Sequence, residues 1–265
     1  MNGMIRDTIV EMKERKLFWL FIIVTGLAVL AIVGLKGWVE QMRMQEAPPE
    51  VQQAFGTMAN QILVGWTSGF LSILVFFSVL GTAGLIPSML SRGRAEFYMS
   101  KPISRSRLLL GKLFSVWSVY GGLVAVAGVL VMGLIAALYG IFQARVFFIV
   151  LEALIALFVW LSITGFVGTV SGSFALAVTT TFALWLAQYG LHLREYLVRL
   201  VDNKFVEIAL DICYYILPKH SENGDLFVAL AVGRPVPDWL PLWSSLLFAV
   251  AMYGLSVWAF RRKDY

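Results

Sequence analysis

The 265-residue sequence predicts an all-α integral membrane protein. Three observations carry that reading. Hydrophobic residues make up 59% of the chain and charged residues only 14%, against roughly 25% charged in a soluble domain. Such a chain cannot cover a globular surface with polar groups, and its mean hydropathy is +0.80. The apolar residues fall into about six runs long enough to cross a bilayer core of about 30 Å, which takes roughly 20 residues at 1.5 Å each. None of these runs has the two-residue alternation of a barrel strand. The whole chain, 1–265, reads as one transmembrane domain.

The elements follow in order. Residues 1–16 predict an amphipathic helix on the cytoplasmic membrane surface. Met4, Ile5, Thr8, Ile9 and Met12 share one helical face, while Asp7, Glu11, Glu14 and Arg15 lie elsewhere around it. Leu17–Leu35 is the first span. It is too long for the apolar region of a signal peptide and is followed by further spans. Residues 36–61 contain "EAPPE", where Pro48-Pro49 breaks any helix and implies a short outer excursion. Ile62–Leu90 is the second span, long enough to tilt or to project past the lipid. Its Gly65, Gly69 and Ser72 form a small-residue stripe, of the kind that permits close helix packing. A basic block at 91–113 separates it from the third span, Leu108–Tyr139. Val146–Val170 is the fourth span, ending in a second small pair, Gly168 and Gly172. The turn "SGS" leads to the fifth, Phe174–Leu191, and Leu242–Phe260 is the sixth.

Residues 192–241 predict a structured extracytoplasmic segment. Apolar residues recur at helical spacing from Leu193 to Ile216, with Arg194, Arg199, Asp202, Lys204, Glu207 and Asp211 on much of the other face. Pro218 ends this amphipathic helix, "KHSENGD" reads as a turn cluster, and "GRPVPDWLP" as a rigid connection.

Charge sets the orientation. The pI is about 9.4, and in a chain this apolar the basic excess reads as topology rather than nucleic-acid binding. Thirteen of the 21 Lys and Arg residues lie in the N-terminal segment, the basic block and the tail "RRKDY". The loops 36–61, 140–145 and 192–241 hold the other eight, with ten acids. Six spans put the basic segments, and both termini, on the cytoplasmic side of a cell membrane.

A few polar residues fall inside the spans. Glu152 lies about 9 Å past Val146 by helical rise. An acid there faces the bundle, water or a basic partner. It reads either as a substrate or proton contact, or as a structural group near the outer rim, paired with Arg145 or a neighbouring helix. Thr181, Trp185, Gln188 and His192 share one face of the fifth span and are candidates to line a pathway, or simply to pack helices. His192 and His220 lack metal-ligand spacing and read as solvated surface residues. The lone Cys213 excludes an intrachain disulfide.

The basic block is the most specific feature. It carries Arg92, Arg94, Lys101, Arg105, Arg107 and Lys112 against one acid, Glu96. The stretch "GTAGLIPSMLSRGRAEFYMSKPISRSRLLLGKL" resembles the permease subunits of ABC transporters of the ABC-2 type. Met99, Ser100, Lys101, Pro102, Ile103, Ser104, Arg105, Gly111 and Lys112 carry the resemblance, and "YYILPK" and the C-terminal "FRRKDY" agree with it. Arg94-Ala95-Glu96 departs from it, standing where many relatives have a more acidic run. The resemblance implies an exporter with two permease protomers, most simply a homodimer, and two separate P-loop ATPase subunits that bind ATP and Mg. It implies that residues 91–107 form a coupling segment in a groove of the ATPase. Phe97, Tyr98 and Met99 are suited to anchor it. Pro102 stiffens its corner. Glu96, Arg105 and Arg107 are available for charge pairing, or for lipid headgroups. The chain has no G-x-x-x-x-G-K-[ST] of its own, so it is expected to be a transport subunit without an ATPase site, catalytic residues, cofactor or metal. Two other classes remain open: a membrane-embedded enzyme using Glu152 with His192 or His220, or an ion-coupled carrier with Glu152 as its coupling site. An enzyme needs polar groups converging at one depth, which the sequence does not display.

Overall fold

The computed structural model describes residues 2–14, 16–42, 49–90, 104–140, 144–192, 194–201, 203–236 and 238–263. Among them the only regular elements are helices: α1 (Asn2–Glu14), α2 (Leu17–Met42), α3 (Pro49–Thr82), α4 (Leu85–Met89), α5 (Arg105–Tyr139), α6 (Phe147–Ser171), α7 (Phe174–His192), α8 (Arg194–Val201), α9 (Lys204–Ile216), α10 (His220–Val232) and α11 (Leu240–Arg262), with one 3-10 turn at Ala144–Val146. Five helical stretches are long and apolar enough to cross a membrane: Phe18–Gly37, Gly56–Met89, Arg105–Tyr139, Ala144–Ser171 and Leu240–Arg262. The apolar part of α7, Phe174–Gln188, is shorter.

Helix α6 is the hub, with α3, α5, α7, α10 and α11 packed on it. It is apolar on every side, as a helix enclosed by others must be. Leu71, Leu74, Tyr120, Ile149, Leu157 and Leu161 fill the core around it. α5 and α6 run antiparallel in close contact. A Cβ on Gly128 would lie 2.9 Å from Val150, and one on Gly165 would lie 2.8 Å from Leu113. The outward faces are apolar too: Trp19, Leu30, Leu130, Leu186, Leu247 and Val250 are exposed on four different helices. An apolar exterior wrapped round an apolar core suits lipid and not water.

The expectations for two connections change. The excursion at 36–61 is largely helical, because α2 runs on to Met42 and Pro49 opens α3, a first-turn position that needs no N–H from proline. Gly65 and Gly69 have nothing of this chain within 4 Å of an added Cβ. Close approaches within the chain include Gly128, Gly165 and, from the second predicted pair, Gly168 against Pro87 of α4. The segment after the fifth span is three helices rather than one helix and a turn cluster. Asn203 caps the start of α9 through the amide of Phe205, and "HSENGD" opens α10. Gly233, at φ +78°, ends α10 in the left-handed conformation, where the Arg145 guanidinium occupies the place of a Cβ.

Candidate functional site

The bundle has two polar ends. At one, α1, the start of α5 and the end of α11 are tied together. Lys112, 2% exposed, places its ammonium 2.6 Å from Asp7 and 2.7 Å from Glu11 of α1. The residues that face away from the apolar stripe of α1 therefore hold that helix to α5. The Arg105 guanidinium donates to the carbonyls of Lys263 at 2.7 Å and Arg261 at 3.4 Å. Arg261 in turn donates to the Ser106 hydroxyl at 2.7 Å. Ser104 caps α5 by accepting from the Arg107 amide, and the Arg107 side chain is exposed. Arg105 is thus engaged within the chain, and Arg107 is the freer of the two for another partner. Glu96, Phe97, Tyr98, Met99 and Pro102 lie outside the described residues.

At the other end, four elements converge on Glu152, which is 3% exposed. α6 supplies Glu152 and Trp160, α10 supplies His220 and Asn223, α11 supplies Ser245, and α7 supplies Trp185 and Gln188. Gln188 is the strap: its amide donates to the Pro218 carbonyl and accepts from the His220 N–H. Pro218 stops the preceding helix, and the strap fixes where α10 begins. Ser245 Oγ accepts from the Lys219 N–H at 2.9 Å and from Asn223 Nδ2 at 3.0 Å. These bonds seat α10 between α6 and α11. His220 Nδ1 then lies 3.5 Å from Glu152 Oε1, and its ring meets Trp160 edge-on at 6.0 Å. Burial pushes the His220 imidazole down to about 4, so it is neutral at ordinary pH and gives Glu152 no counter-charge.

Two small hollows flank Trp160 and His220. One is bordered by Glu152, Asn223, Phe227 and Ser245. The other is bordered by Phe76, Thr181 and Trp185. Three buried polar atoms here have no hydrogen-bond partner in the protein: Glu152 Oε1, Asn223 Oδ1 and Trp185 Nε1. Beyond the hollows the end is closed by a cationic–aromatic cluster. Arg194 lies 3.9 Å over the Tyr214 ring and Lys219 4.5 Å from it. Tyr214 donates to Glu222 at 2.8 Å, and burial, with Glu222 adding to it, raises its phenol to about 12. Burial also lowers the Lys219 ammonium.

The predicted α7 stripe is therefore divided by role. Thr181 bonds its own Ala177 carbonyl at 2.8 Å. Trp185 stacks on Phe76 with centroids 4.1 Å apart and borders a hollow, and Gln188 is the strap. Nothing is described of the His192 side chain. Glu152 faces not Arg145 but His220 of the neighbouring α10. His220, expected in solvent, is only 14% exposed at its side chain, because α10 folds back onto α6. Polar groups do converge on Glu152, and His220, one of its two possible histidine partners, is the one that reaches it. Asn223 and Ser245 were missed because they come from two helices joined to the site only by tertiary packing. Among the described residues no group of three or more His, Cys, Asp or Glu could hold a metal ion. No family model matches the chain, and no curated protein matches it in sequence.

Proposed function

We propose that the chain is the membrane subunit of an ABC-2-type transporter, an exporter that works as a dimer and is driven by a separate P-loop ATPase. The observation that carries this reading is the tied end. Leu90 and Ser104 flank the basic connection, and Ser104 stands beside the Arg105–Lys263 and Lys112–α1 contacts. Three chain segments tied together next to the basic connection suit the transfer of force from an ATPase. Parity supports six crossings, with α7 as the fifth. α1 and the end of α11 meet at one end, and the five long helices alone would leave them apart. With α7 crossing, the exposed apolar side chains of α2, α5, α7 and α11 form the lipid belt, and both termini lie on the cytoplasmic side. Cysteines introduced at positions 3 and 264, in a chain whose exposed Cys213 is replaced by serine, are then shielded in intact cells from a membrane-impermeant thiol reagent. A cysteine at position 46 reacts. Labelling at 264 from outside would mean an odd number of crossings.

The convergence on Glu152 favours a second reading, an ion-coupled carrier. Transport by the purified chain in vesicles without ATP or an ATPase would select it over the first.

A further inference from the structure

Glu152 and Asn223 present two acceptor atoms that the protein leaves unbonded, on either side of one hollow. Glu152 is 3% and Asn223 5% exposed, and Oε1 and Oδ1 are the unpartnered atoms. Asn223 Nδ2 donates to Ser245 at 3.0 Å, which leaves Oδ1 as the unbonded atom of the amide. A buried acceptor without a donor costs about 1–3 kcal/mol, and a buried carboxylate without a counter-charge costs more. His220 touches Glu152 only at 3.5 Å, too far for a good hydrogen bond. A ligand with several donors and positive charge would satisfy both acceptors. A hard divalent cation takes about six oxygens. Here the oxygens come from Glu152, Asn223 and Ser245, and the remaining lining includes Ile155, Val159 and Phe227. Trp160 forms a wall shared with the second hollow, where Phe76 and Trp185 stack. Indole faces attract organic cations, and an apolar slot beyond a polar pair receives an alkyl chain.

We propose that Glu152 and Asn223 bind the ammonium group of a small organic amine, with Trp160 along its flank and its alkyl chain towards Trp185. That this amine is the transported cargo rests on the transport reading above; that it binds does not.

The test needs no ATPase. The full chain, purified in detergent micelles, is titrated with butylammonium chloride by isothermal calorimetry. Saturable binding is expected. It weakens about tenfold or more in Glu152→Gln and in Asn223→Leu, as loss of a charge-assisted hydrogen bond implies. On the unaltered chain, 1-butanol, which lacks the charge, and tetramethylammonium, which lacks the donors, each bind at least about tenfold more weakly than butylammonium. Absence of saturable butylammonium binding overturns the proposal. So does equal binding of either comparison ligand, or unchanged affinity in Glu152→Gln. Because the ligand series uses the unaltered chain, a variant that fails to fold does not shelter the idea. Loss of ATPase association in a separate experiment would remove the cargo role and leave the amine site standing.

Discussion

Lys112→Met lowers the stability of the purified chain by about 3 kcal/mol, the low end of the cost of removing one partner from a buried ion pair. The ammonium is enclosed, with its side chain 3% exposed, and lies between two carboxylates. Those carboxylates are unequal. Asp7 is 39% exposed at its side chain and can rehydrate, whereas Glu11 is 10% exposed and cannot do so without moving α1. The cost therefore falls mainly on Glu11, and it is relieved by releasing the helix. Met4 would leave Gly111 as well, since its sulfur sits 2.8 Å from the place of a Cβ there. Thermal unfolding in micelles gives the stability, and proteolysis within residues 2–14 reports release of α1. Adding Asp7→Asn and Glu11→Gln to Lys112→Met restores most of the loss, because a neutral set in that place has no charge to strand. Unchanged stability in Lys112→Met would mean that the Lys112 ion pairs do not hold α1.

The spans were legible because bilayer thickness and helical rise leave little choice of length. The third, fourth and sixth predicted spans match α5, α6 and α11 to within about three residues, within the usual scatter of helix ends. Lys112 was legible only as one more basic residue on the cytoplasmic side. Its burial depends on α1 lying against α5, a contact 101 residues away in sequence. The same limit hid the site at Glu152. "HSENGD" is rich in poor helix formers, yet it becomes the first turns of α10 because Gln188 and Ser245 hold its start and α6 covers it. Propensity is local, and the packing that overrode it is not. Phe227 is another case. It reads as a residue of an outer segment, but it is 2% exposed in the core.

Phe97→Ala together with Tyr98→Ala abolishes stable association with the ATPase. Truncating a buried aromatic anchor at an interface often costs about 2 kcal/mol or more, and two such losses reduce affinity by about a thousandfold if they add. Arg107→Ala has a smaller effect, seen mainly as altered salt dependence, because an exposed charge pair contributes about 0–1 kcal/mol. Pro102→Ala keeps association and loosens the coupling of hydrolysis to transport, since it removes stiffness and not contact area. The control is Phe205→Ala. Phe205 is 84% exposed on α9, whereas a truncation at buried Phe227 would disturb the fold itself. Arg105 is a poor test of the interface, because its loss would also free the C-terminal carbonyls of Lys263 and Arg261.

The central claim is that this chain is driven by another polypeptide through residues 91–107. Its most direct measurement is affinity purification of the full chain from its own cell membranes, with co-purifying proteins identified by mass spectrometry. The account predicts a P-loop ATPase with the unaltered chain and with Phe205→Ala, and its loss with the Phe97 and Tyr98 double truncation. Recovery of the unaltered chain without any P-loop ATPase, or an ATPase equally bound to the double truncation, would contradict it.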